Sequence, residues 1–211
     1  DVPMGNSTKA KTWKDANHLK DMFEMVGKSL GMKVKVIVTD GSHPIGRGIG
    51  PLFEAEDVMS VLKNEHDAPP DLRKKALFMA GILLEMTGKY KKGEGEKAAT
   101  QLLESGKAWV KMNEIIDAQG RMKKPAKGKF THQVFSAQAG KIVAVDNDKV
   151  AKIARISGNP EDKGAGIILN KNVGDVVKKG ELLYMVYACS QIKLDLAIDY
   201  INHCCGYEVE K

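Results

Sequence analysis

The apolar residues of this chain follow two rhythms, and the change from one to the other divides it. Up to about residue 120 they recur mostly at three- and four-residue steps, the spacing of amphipathic helices. Thr12-Trp13-Lys14-Asp15 is a capping box that predicts a helix to about Leu30, stopped by Gly31. Trp13, Ala16, Leu19, Phe23, Val26 and Leu30 form its expected buried face, with His18 beside it. Leu52–Leu62 predicts a second helix that buries Leu52, Val58, Val61 and Leu62 and keeps Glu54, Glu56 and Asp57 polar. After the break Ala68-Pro69-Pro70, Asp71 caps a helix to about Thr87 that is apolar on most sides and so expected to be buried. Glu96–Glu104 and Lys107–Gln119 complete the helical set, the last with Trp109, Met112, Ile115 and Ile116 inward. One short run, Val34–Val38 (VKVIV), is β-branched and reads as a buried strand, and Asp1-Val2-Pro3 reads as the tail of another.

Past the basic, Pro- and Gly-bearing linker Gly120–Lys129 the rhythm becomes that of strands. Phe130–Ser136, Lys141–Val145, Gly166–Leu169, Asp175–Lys178 and Leu182–Val186 are expected strands, with helices at Asp148–Ser157 and near Ile192–His203. The expected class is α/β, a partial sheet with helices over residues 1–120, then a linker at 121–129, then a small α+β, barrel-sandwich-like C-terminal domain over 130–211.

Candidate chemistry sits where the VKVIV strand meets the second helix. The stretch from Thr39 to Asp57 (TDGSHPIGRGIGPLFEAED) carries Gly41, Pro44, Gly46, Gly48 and Gly50. Loops at the carboxyl ends of strands are where α/β sheets bind ligands, and glycines let backbone approach a ligand closely. The spacing is not the dinucleotide GxGxxG, because Gly50 follows Gly48 too soon, and no Lys-Ser/Thr pair makes it a P-loop. On pattern alone it is a tight strand-to-helix connection. The acids that open the following helix also suit a helix N-terminus.

Bulk properties narrow the field without choosing within it. The 211 residues carry 33 basic and 27 acidic side chains, a net charge of +6. Acids are interleaved with the lysines and no aromatic-studded basic stripe exists, so a nucleic-acid partner is not expected. The longest apolar stretch, Ala76–Leu84, is far too short to span a bilayer. Three cysteines make no disulfide framework, and a reducing cytoplasm is the expected setting. His203, Cys204 and Cys205 are consecutive and cannot converge on one ion in regular structure.

Two resemblances add to this reading. TDGSHPIGRGIGPLFEAEDV, with DVPMGNSTKAKT upstream, resembles the thymidine/pyrimidine-nucleoside phosphorylase family, and more closely its archaeal branch similar to AMP phosphorylase. The match runs through Thr39-Asp40, His43-Pro44-Ile45-Gly46 and Gly50-Pro51-Leu52-Phe53-Glu54 in order. Val173–Leu183 resembles the half-repeat of biotinyl and lipoyl carrier domains, but no Met-Lys or Asp-Lys pair follows it, so the shape is expected and carrier chemistry is not.

The phosphorylase resemblance implies that the chain is the C-terminal portion of a longer enzyme. That enzyme would cleave AMP with phosphate to adenine and ribose 1,5-bisphosphate; the alternatives are a thymidine or pyrimidine-nucleoside phosphorylase and a non-enzymatic barrel-sandwich interaction module. It implies no catalytic residue here, and predicts that these residues alone are inert. Gly5, Lys9, Ala10 and His43 are the implied substrate-binding residues, with Lys9 and Ala10 standing where thymidine phosphorylases carry Phe-Met. The carbonyls of Ile45 and Gly48 and the carboxylate of Asp57 are the implied ligands of a hard monovalent or divalent cation, at a helix position where the family more usually has Glu. No other cofactor is implied. The implied partners are nucleotide or nucleoside and phosphate, with homo-oligomers formed through an upstream helical domain.

Overall fold

A computed structural model describes all 211 residues. The capping box forms as expected: Thr12 Oγ1 accepts from the Asp15 amide at 3.2 Å, and Asp15 Oδ2 accepts from the Thr12 amide at 2.9 Å. It opens α1, Trp13–Ser29. Before it lies β1 (Val2–Met4), and after it β2 (Val38–Asp40), paired in parallel with Val2 opposite Val38 and Met4 opposite Asp40. Around this pair sits a small apolar cluster of Val2, Ala10 and Ala16, with Met4, Leu19, Val36 and Val38 packed against it.

Two expectations for this region need correcting. Of the VKVIV run only Val38 is in a strand, because the three residues of β1 offer no ladder for Val34–Ile37 to join. The apolar face of α1 is not buried either: Trp13 is 63 % exposed, and Phe23, Val26 and Leu30 are also in solvent. Periodicity marks a face that could be buried, and nothing in the chain packs over most of this one.

Four further helices follow: α2 (Pro51–Leu62), α3 (Pro70–Met86), α4 (Gly95–Glu104) and α5 (Lys107–Ala118). Pro51 and Pro70 stand in first turns, where the missing N–H costs nothing. The expected burial of α3 fails, with only Gly81 buried and Leu83 and Phe78 exposed. No residue of α5 is buried, and Ile115 faces solvent; on α2, Leu52 and Val61 are buried while Val58 is not. Among α2–α5 lies an open apolar cavity of about 370 Å³, walled by Val61, Leu77, Leu84 and Leu102 among others.

The C-terminal part is built differently. Its elements are β4 (Phe130–Phe135), β5 (Gly140–Val145), α6 (Asn147–Ile156), β6 (Gly166–Leu169), β7 (Val176–Val177), β8 (Leu182–Ala188), α7 (Gln191–His203) and β9 (Tyr207–Glu210). They form a four-stranded sheet in the order β3-β6-β8-β4 and a three-stranded sheet β7-β5-β9, where β3 is Gly48–Ile49 from the glycine-rich loop. Neither sheet closes on itself. Seventeen buried residues from the sheets, α6 and α7 make one core, among them Ile142, Ile153, Ile167, Tyr184 and Val186. Burial raises the phenols of Tyr184 and Tyr207 well above their ordinary value, and each O–H is matched, Tyr184 to the Cys205 carbonyl at 2.8 Å and Tyr207 to that of Lys171 at 2.7 Å.

Residues 121–128 are neither helix nor strand, yet they are tied down. Lys124 and Lys127 both pair with Glu56 on α2, at 2.7 and 2.9 Å, and the Gly128 amide donates to the Gly164 carbonyl at 2.8 Å. Burial works to raise the Glu56 carboxyl, but hydrogen bonds from the two lysines outweigh it and hold the group below its ordinary value. The three cysteines are free. No helix is long and apolar enough to cross a membrane.

Candidate functional site

The parallel strands β1 and β2 end side by side, so the two loops that leave them must share one corner. The first is Gly5–Ala10. Its Gly5 amide donates to the Ala10 carbonyl at 3.1 Å, and Thr8 Oγ1 bridges the carbonyls of Gly5 and Ala10 at 2.9 and 2.8 Å. The second begins at Gly41, whose amide donates to the Met4 carbonyl at 2.9 Å. The loops touch through Gly5: a Cβ there would stand 2.5 Å from the Gly41 oxygen and 2.9 Å from the Ser42 amide nitrogen, so no larger residue fits.

Within the second loop the Ser42 amide donates to Asp40 Oδ1 at 2.8 Å. That bond, first among its causes, holds the Asp40 carboxyl below the usual range. His43 Nδ1 lies 2.9 Å from Ser42 Oγ and 3.9 Å from Asp40 Oδ2, which fixes the ring beside Gly41. Lys75, reaching from α3, places Nζ 2.7 Å from Asp1 Oδ2 and 3.0 Å from Thr39 Oγ1. Burial pulls its ammonium below the ordinary value, against the opposing pull of Asp40. From α6 the side chain of Asn147 donates to the Gly41 carbonyl at 3.1 Å.

Farther along, the loop is wrapped on two carboxylates. Asp57 Oδ2 accepts from the amides of Arg47 and Gly48 at 2.6 and 2.7 Å, and Asp71 Oδ2 accepts from the Gly46 amide at 3.0 Å. Gly46 has φ +78°, and a Cβ on it would meet Asp57 Oδ2 at 2.7 Å. The backbone then continues as β3, with Gly48 opposite Ile168 and the Leu169 amide donating to the Arg47 carbonyl at 2.8 Å.

The expected site residues therefore fall into four places. Gly5 and His43 meet in one corner through Gly41 and Ser42. Lys9 stands exposed on the first loop. Ala10 points the other way, only 1 % exposed, and its methyl belongs to the cluster of Val2 and Ala16. Ile45, Gly48 and Asp57 belong to the wrapped part of the loop, where amides and not carbonyls face Asp57 Oδ2. Those amide bonds give the buried carboxylate hydrogen-bond partners and tie Asp57 to the loop.

Reading the chain alone missed Lys75, Asp71 and Asn147. Asp71 reads as a helix cap, Lys75 as one of many lysines, and Asn147 falls just before the expected helix Asp148–Ser157. Only the fold brings them to the loop. A groove of about 940 Å³ opens between α2, α5 and the linker, lined in part by Arg47, Glu56, Asp57, Trp109, Lys124 and Lys127. Within it Arg47 pairs with Asp67 at 3.9 Å and Glu56 with both lysines.

Comparison with known proteins gives this arrangement a context. Residues 142–208 match the family described as the pyrimidine nucleoside phosphorylase C-terminal domain. A protein of Legionella pneumophila (strain Paris) described as "Putative thymidine phosphorylase" is 46 % identical over 202 residues, covering 96 % of this chain and 39 % of that protein. One of the same description from Rhodopseudomonas palustris (strain ATCC BAA-98 / CGA009) is 47 % identical over 199 residues, covering 94 % of this chain and 39 % of that protein. A "Bifunctional ribose 1,5-bisphosphokinase-thymidine phosphorylase" of Roseobacter denitrificans is 41 % identical over 199 residues, covering 94 % of this chain and 29 % of its own length. The chain thus spans about two fifths, or less, of the length of these relatives. They are bacterial and their descriptions name thymidine, so the expected placement with an archaeal AMP branch finds no support among them.

Proposed function

We propose, taking the likeness over nearly the whole chain as the premise, that this protein serves a phosphorolytic exchange on a pyrimidine nucleoside, with thymidine its first candidate. The observation that carries the reading is the corner where Gly5–Ala10 and Gly41–His43 meet at the carboxyl ends of two parallel strands, in a chain 46 % identical to a protein described as a thymidine phosphorylase.

In such a reaction a phosphate oxygen bonds to C1′ of the sugar, the N-glycosidic bond breaks, and its electron pair leaves with the base. The barrier falls if negative charge on the departing base is met by donors and if water is kept out. This chain's part is positional. The loop Gly5–Ala10 would lie against the base with His43 as a donor or acceptor beside it, and Lys9 would supply positive charge near the rim. The Asp57 and Asp71 carboxylates hold the second loop in shape. No step is assigned to a bound cation, and no residue here is assigned to the chemical step itself. A cytoplasmic setting belongs to the same proposal.

The AMP reading keeps one supporting observation, the exposed ammonium of Lys9, which suits a 5′-phosphate. Phosphate-dependent release of free base from thymidine, uridine and AMP, offered in parallel to the protein as its gene encodes it, separates the two. Release of thymine with AMP untouched is the expected result. Release of adenine from AMP alone would return the protein to the nucleotide branch. No release from any of them would end the phosphorolytic reading.

A further inference from the structure

Both candidate loops pass through Gly41, and what holds Gly41 from outside comes from a distant part of the chain. Its amide is bound by Met4, and its carbonyl lies against the α-carbon of Gly5. A Cβ on Gly41 itself would stand 2.8 Å from Pro3 Cβ and 2.9 Å from Thr8 Cγ2, so the residue is enclosed by β1 and the first loop. The remaining contact is the Asn147 side chain, donating to the same carbonyl at 3.1 Å across a sequence separation of 106.

Asn147 stands on a firm base. It opens α6, where Asp146 Oδ1 accepts from the amides of Asp148 and Lys149 at 3.0 and 3.1 Å. The Asp146 amide is itself bound by the Gly206 carbonyl at 2.9 Å. One turn on, Val150, Ile153 and Ala154 are buried in the seventeen-residue core. The hydrogen bond therefore connects a loop corner with few buried neighbours to the helix that packs into the seventeen-residue core. A half-buried amide at a helix start has no need of that acceptor for helix capping, which Asp146 already performs.

We propose that Asn147 is a positioning residue for the candidate site: it sets the place of the Gly41 carbonyl, and through Gly41 the mutual spacing of the Gly5–Ala10 loop and His43. The kinetic part of this inference rests on the phosphorolytic reading above; the geometric part does not. A neutral hydrogen bond of this kind is worth roughly a fivefold change in an equilibrium. Losing it lets the two loops separate locally without unfolding α6, which carries Asn147, or the core that α6 packs into.

The test compares the unaltered protein with Asn147→Asp, which keeps the shape and loses the donor, and Asn147→Ala. Amide hydrogen exchange is the first readout. Exchange in peptides covering residues 5–10 and 41–46 is expected to quicken about fivefold in both variants. Peptides of β6 and β8 should keep their rates. The second readout is steady-state phosphorolysis, where KM for the nucleoside should rise about fivefold with kcat changed less. A variant that merely lost folded protein would lower apparent kcat at constant KM. Unchanged exchange at 41–46, or equal acceleration in the loops and in β6 and β8, overturns the proposal. If the unaltered protein releases no base at all, the functional reading falls, and the exchange comparison still decides the role of Asn147.

Discussion

Residues 130–211 and residues 1–120 are both rich in regular structure, but they hold it by different means. In the first, seventeen buried side chains share one core, and Ile142, Ile153, Ile167 and Val186 are wholly shielded. In the second, the separate apolar cluster has three buried residues, and large side chains such as Trp13, Phe23 and Leu83 face solvent. The helices of residues 1–120 are set by local devices: the Thr12–Asp15 box, prolines in first turns, and glycines at helix ends. Local devices decide where a helix starts and stops, and they contribute little to how firmly it is held. The sheets have no such option, since their ladders exist only when distant segments meet. The lesson is that secondary structure and stability are separately encoded here.

That contrast can be broken most directly in the core. Ile153→Ala, at a position with no exposure, should cost about 2–5 kcal/mol in urea unfolding, whereas Phe23→Ala should stay within about 0.5 kcal/mol. Equal losses would show that α1 is packed in solution in a way that the present fold does not contain. Next in size is Asp57→Ala, which strips the acceptor from the amides of Arg47 and Gly48. Leaving them unpaired should cost about 1–3 kcal/mol. Protease sensitivity should rise between Gly46 and Gly50 and nowhere in β8.

A smaller effect should appear at the seam. The Glu56 carboxyl is held below its ordinary value by Lys124 and Lys127, so the folded state binds its proton less readily than the unfolded chain. The stability it lends is then fully present above the unfolded value of about 4.3 and is lost as pH falls through the lower folded value. Partly exposed pairs of this kind are worth no more than about 1 kcal/mol. Glu56→Gln should lower Tm slightly at pH 7, should lose less on acidification than the unaltered protein, and should let trypsin cut sooner at Lys127. An identical acid response in both would mean that the tether adds nothing. Smallest of all is the response to cations. Replacing potassium by choline at fixed ionic strength should move Tm by less than about 1 °C, because Asp57 already has its donors; a specific, concentration-dependent rise would point to an ion at Ile45 and Gly48 after all.

Much of this was legible beforehand, for a physical reason in each case. Helix boundaries at Trp13, Leu62, Glu104 and Ile156 fall within a residue or two of expectation because caps and breakers act through near neighbours. The buried faces of α1, α3 and α5 were misread because a periodic apolar face records what a helix can bury, and its partner is not written in it. Strands β3 and β9 were missed because Gly48-Ile49 and Tyr207–Glu210 become strands only by lying against β6 and β5. In the candidate site, Gly5 and His43 were named through the family resemblance alone, and the fold puts their loops side by side at the ends of β1 and β2. Asn147 and Lys75 were not, since their roles exist only across long separations in the chain.

One short element carries a consequence for how the molecule is made. The two residues of β3 pair with Ile167 and Ile168 in the opposite half of the chain. A polypeptide emerges from the ribosome N-terminus first, and pairings between distant segments are slow to form. The glycine-rich loop must therefore wait, with its helix already made, until β6 has been synthesised and docked. Protection at Gly48 and Ile49 should come no earlier during refolding than protection at Ile167. Completion of the loop thus reports completion of the fold, and a half-synthesised or truncated chain leaves its Gly48–Ile49 end without a partner strand.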